Sequence, residues 1–169
     1  MSFGKSFIVS LIALVVLNAV VFTIFYVIGY GFDPYITGIL SNVNYLLYGI
    51  FSSTAHAIWL LVDLFVYSLG TVPISWDFFL LNLGFITAPL IAAVITGRLS
   101  EKRVHAFAGF FLSVIISMLI CIILLYQGFS YQVLLGGSFD QTESLITVIL
   151  GSLVNGLIYG MIAYITTKK

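Results

Sequence analysis

"SSTAHAIWLLVDLF", residues 52–65, decides how many times this chain crosses a membrane. Most of the stretch suits lipid, yet it carries a histidine and, seven residues later, an aspartate. It is either the turn between two short apolar segments or part of one long helix. The flanking residues favour the long helix. Asn42, Tyr45, Gly49, Ser52, His56, Trp59, Asp63 and Tyr67 recur at steps of three or four, which is the spacing of one helical face. The stripe passes through Ser52 without a change of phase. Two short spans would each have only about 16 residues, the short edge of what can cross. The sequence therefore predicts a continuous helix over 42–69, with Ser41 or Asn42 as its N-cap.

Outward from this stretch, four further apolar runs cover residues 6–30, 78–97, 106–126 and 145–166. Each is close to the roughly 20 residues needed to cross a hydrocarbon core of about 30 Å. The run at the amino terminus exceeds the roughly 7–15 apolar residues of a signal peptide and is read as a retained helix. The segments between the runs carry turn and cap chemistry: "GFDPYITG" at 31–38, Pro73 and Ser75 before the third run, and Asp140 with Glu143 before the last. The predicted fold is all-α, a single transmembrane domain over 1–169 with about five spans, four or six being the alternatives.

Composition agrees with a bilayer as the solvent. Hydrophobic residues make up 62% of the 169 and charged residues 7%, and the mean hydropathy is +1.21. A soluble domain carries about a quarter charged residues. Six basic and six acidic residues leave no net charge, so no basic field exists to draw nucleic acid. Arg98, Lys102 and Arg103 crowd one short loop, and Lys168 and Lys169 end the sequence. The positive-inside rule makes that side cytoplasmic. With five spans the N-terminus is then expected outside and the C-terminus in the cytoplasm of a cell-membrane protein. An even count would bring Lys5 to the cytoplasmic side.

His56 and Asp63, with Ser52, form the candidate intramembrane polar site. Seven residues separate His56 from Asp63. On a helix this puts them on one face about 10 Å apart, too far for a direct hydrogen bond. An aspartate within a span must face protein or water, so the pair serves either a proton or cation path or helix-to-helix hydrogen bonding. Asn18, Asn82 and Asn155 lie in apolar runs and can bridge helices. Small residues recur every four positions: Gly84, Ala88 and Ala92 on one run, Ser113, Ser117 and Cys121 on the next, and Ser152, Gly156 and Gly160 on the last. Such faces let backbones approach closely. Pro89 interrupts a helix and frees a carbonyl that Thr87 or a neighbouring helix can satisfy.

The chain has no H-E-x-x-H, no G-x-S-x-G and no phosphate-binding glycine loop, and Cys121 is its single cysteine. Neither an enzyme nor a bound cofactor or metal is expected. The sequence points to an accessory or scaffold subunit of a larger membrane assembly, with the lipid bilayer and other membrane subunits as partners. The alternative is a small transporter or channel component with a polar path along 42–69.

Overall fold

In a bilayer core a backbone N–H or C=O finds no water, so an apolar chain must satisfy these groups within helices. The computed structural model describes residues 2–34, 42–55, 76–127 and 141–168, with isolated positions at 37, 66, 69 and 70, and the regular structure among them is helical. Helix α1 spans Phe3–Tyr30, α2 Val43–Phe51, α3 Trp76–Leu99, α4 Arg103–Tyr126 and α5 Gln141–Thr166. Four of these, α1, α3, α4 and α5, are long and apolar enough to cross a membrane. They contain 28, 24, 24 and 26 residues, roughly 36–42 Å at 1.5 Å per residue. The protein is thus an all-α membrane protein, and four of the expected spans are transmembrane-capable helices among the described residues.

The long helices form a ring in the order α1, α3, α5, α4, with α3 and α4 also touching across the shorter diagonal. Their directions follow from side-chain partners. Gly84 of α3 meets Val21 of α1, whereas the start of α1 meets the end of α3, where the Ser6 and Ser100 hydroxyls lie 2.8 Å apart. These two helices are antiparallel. The Ser113 hydroxyl of α4 donates to the Phe7 carbonyl at 3.4 Å, while Phe22 packs near Leu124, so α1 and α4 run the same way. Gly156 and Gly160 of α5 face Phe111 and Phe107 of α4 in reverse order, which makes that pair antiparallel.

One end of the bundle therefore gathers the start of α1, the α3–α4 connection and the end of α5. This differs from the expectation that the two termini lie on opposite sides. Tyr30 closes α1 and Trp76 opens α3 at the same, opposite end.

Residues 42–69 differ as well. The α-helix stops at Phe51 and gives way to a 3-10 turn over Ser52–Thr54, with Ala55 in a turn conformation. The Thr54 hydroxyl donates to the Phe51 carbonyl at 3.3 Å. Such local side-chain bonds offer the backbone an alternative to the α-helical ladder. A single 3-10 turn shifts the facing of later residues only modestly, so the regular stripe conceals the change. The remainder of the predicted helix falls mostly on residues outside those described.

Packing follows the small and aromatic residues. Ala92, Ala93, Ala106 and Ala163 let the helices close around Leu14, Phe110, Val114 and Tyr159, all buried. On α1 the inward residues Ser6, Ser10, Leu14, Asn18 and Phe22 step by four, and Ile8, Ile12, Val16, Val20, Ile24 and Ile28 form a parallel outward stripe. Outward apolar residues are unremarkable where the surroundings are acyl chains. Pro89 lies inside α3, and the Tyr159 hydroxyl of α5 donates to the nearby Ile86 carbonyl at 3.2 Å. A side chain from another helix thus reinforces the segment that proline weakens. Gly31 ends α1 at φ 92°, in the left-handed region that glycine enters without strain.

Candidate functional site: a polar turn inside the helix ring

The Ser52–Thr54 turn is the least lipid-compatible feature of the interior. It touches α3, α4 and α5, and Ser52, Ser53, Thr54 and Ala55 are all buried. α2 reaches this position by leaning on α1 and α4. Gly49 makes the approach possible, since a Cβ there would run into the Phe22 ring.

Asn155 of α5 fixes the depth of the turn. Its side-chain amide donates to the Thr54 carbonyl at 3.0 Å. Asn155 stands roughly 21 Å from the start of α5 and roughly 16 Å from its end, counting 1.5 Å per residue. The turn is therefore held inside the bundle, and Ala55 at its end packs against Cys121 and Leu125 toward the end of α4. The turn keeps helical dihedrals, with Ser52 at φ -71° and ψ -22° and Ala55 at φ -86° and ψ -22°.

The surroundings of the turn divide by polarity. Ala55 packs in an apolar cluster with Cys121, Leu125 and Val148, flanked by Phe51, Met118 and Ile122. Tyr48, Phe22 and Leu124 form a second cluster alongside α2. On the polar side, Asn155 binds the turn, and Ser152 precedes it by three residues on the same helix. The hydroxyls of Ser53 and Ser152 are buried with no hydrogen-bond partner. The Ser10 and Ser144 hydroxyls are likewise buried without a partner, whereas Thr96 bonds the Ala92 carbonyl at 2.8 Å, Ser113 that of Gly109 at 3.0 Å and Ser117 that of Ser113 at 3.0 Å. A buried hydroxyl without a partner costs about 1–3 kcal/mol, so each such group calls for a functional or structural reason.

Of the residues singled out from sequence, Ser52 sits in the turn, and His56 and Asp63 lie outside the described residues. Gly84 faces Val21 of α1. Ala88 and Ala92 are buried on α3. A Cβ at Gly156 or Gly160 would come within 2.9 and 3.0 Å of the rings of Phe111 and Phe107. Sequence reasoning did not single out Ser53, Thr54, Ser152 or Tyr159 as site or bridging residues. The signal that could have raised the first two is the run of three hydroxyl residues inside an apolar segment. Among the described residues no three of His, Cys, Asp and Glu are placed to hold a metal ion. Comparison with protein-family models, curated proteins and solved structures gives no match.

Proposed function

We propose that this membrane protein is a small transporter or channel component, not an enzyme, whose polar path passes the Ser52–Thr54 turn. The supporting observation is the pair of unpartnered buried hydroxyls, Ser53 in the 3-10 turn and Ser152 on α5, inside the bundle. Interrupted helices with exposed backbone dipoles are how membrane carriers build polar sites near the midplane. The C-terminal end of α2 turns its carbonyl dipoles toward that depth, which favours a cation over an anion. In sequence, His56 and Asp63 follow the turn and supply the titratable groups that such a path uses. The proposed orientation puts the lysine- and arginine-rich end in the cytoplasm of a cell membrane.

A second reading keeps the chain as an accessory or scaffold subunit among other membrane proteins. The Asn155–Thr54 bond favours it, because a bond that closes the turn also suits a purely structural plug.

Purified protein reconstituted in liposomes separates the two. A path predicts proton or monovalent-cation flux, read with an internal pH dye or ion-sensitive dye, that falls in Asp63→Asn while the protein stays folded. Protein-free leak levels, together with reproducible partner proteins in a native purification, would instead support the subunit.

A further inference from the structure

Because α1 and α4 start, and α3 and α5 end, at one end of the ring, Lys5, Arg98, Lys102, Arg103 and Lys168 are gathered there. At the other end stand Asp33 and Glu143, with no Lys or Arg among the described residues. The cationic end contains one acid, Glu101. Among the described residues, Lys5 and His105 hold the Glu101 carboxyl below its ordinary value by their charge. Glu101 thus answers the α1 side. The other four cations belong to α3, the α3–α4 connection, α4 and the end of α5. Arg103 lies over the Tyr164 ring at 5.5 Å, a contact that orients a guanidinium without cancelling its charge.

The ends of α3 and α5 are brought together by Gly97, where a Cβ would strike Thr166 and the Ala163 carbonyl. Arg98 follows that contact on α3 and Lys168 follows it on α5, both exposed. Directly beside these cations are outward apolar side chains: Leu99 at 53%, Val104 at 67% and Ile165 at 67% exposure. Cations bordering an acyl-facing apolar rim match an amphiphile with an anionic head.

We propose that Arg98, Lys102, Arg103 and Lys168 bind the headgroup phosphate of an anionic phospholipid, whose chains lie along Leu99, Val104 and Ile165. Retention of phosphatidylglycerol against phosphatidylcholine, read by native mass spectrometry of the purified protein, tests this. The wild type retains phosphatidylglycerol preferentially. Each cation near a membrane surface contributes about fivefold, so R98Q/K168Q loses at least tenfold in preference and the quadruple glutamine variant loses the preference altogether. K5Q, on the Glu101 side, keeps most of it. Unchanged thermal stability of R98Q/K168Q in phosphatidylcholine shows that the loss is one of recognition and not of folding. Equal retention of the two lipids by the wild type overturns the proposal. So does a preference that survives in the quadruple variant, or displacement of phosphatidylglycerol by inorganic phosphate, which would assign the site to a free anion.

Discussion

Asn155→Leu tests whether one side chain holds the Ser52–Thr54 turn in the bundle. The substitution keeps most of the volume and removes the amide that donates to Thr54 at 3.0 Å. Both residues are buried, Asn155 at 0% and Thr54 at 1% exposure, so water cannot replace the donor without the turn moving. Leaving such a carbonyl unsatisfied costs about 1–3 kcal/mol, while bonds between membrane helices average about 0.6 kcal/mol. A loss of about 1–2 kcal/mol follows, a roughly five- to thirtyfold rise in the population with the turn undocked. Cys121 reports it directly. It is the only cysteine, is fully buried, and packs against Ala55 at the end of the turn. Its labelling rate with a small maleimide in mild detergent should rise by that factor in Asn155→Leu and in Asn155→Ala. Leu157→Ile, at an outward position with 52% exposure, should leave the rate unchanged. If Cys121 labels at the wild-type rate in both Asn155 variants, the bond does not hold the turn and the argument fails.

Three further outcomes are expected. Gly97→Ala should lower thermal stability more than Gly160→Ala, because the new methyl meets the Ala163 backbone in one case and a Phe107 ring that can shift in the other. Replacing Gly156 and Gly160 together by leucine should cost about 1–3 kcal/mol per site by overpacking, read as a lowered unfolding midpoint, and normal stability would mean that α4 and α5 do not meet along this face. Cysteines introduced singly at Ser2 and Lys168, in a Cys121→Ser background, should label from the same side of a sealed vesicle, and labelling from opposite sides would overturn the arrangement of α1 against the α3–α4 connection.

The long helices were legible because each depends on local properties: enough consecutive apolar residues to cross, and polar or glycine residues at the ends. The observed helices contain the predicted runs, extending each by a few residues at one or both ends. The tightening into a 3-10 turn at Ser52 was not legible by the same means. A helical-face pattern records which direction side chains point, and one 3-10 turn barely changes that direction. What distinguishes the turn is its tertiary setting, with Asn155 arriving from a helix 101 residues away in sequence. The need for a donor near Pro89 could likewise be stated in advance, but Tyr159 could be identified only once α5 was placed beside α3.

The four-helix ring also removes an inconsistency in the charge pattern. With five crossings, Lys5 stands alone on the side away from every other cation, and the positive-inside rule is satisfied only by outvoting it. In the four-helix ring Lys5 joins Arg98, Lys102, Arg103 and Lys168, while Asp33 and Glu143 take the opposite end. Ser6 and Ser100, bonded at 2.8 Å, are the contact that enforces this grouping. On the proposed path, a cation entering from the acidic end would pass carboxylates first and then reach the hydroxyls and carbonyls of the Ser52–Thr54 turn. The proposed path and the proposed lipid site therefore draw on opposite ends of one charge-segregated bundle. Neutralising the cationic end should alter lipid retention without altering cation entry from the acidic end. A parallel loss of flux in R98Q/K168Q would show that the two ends do not act separately.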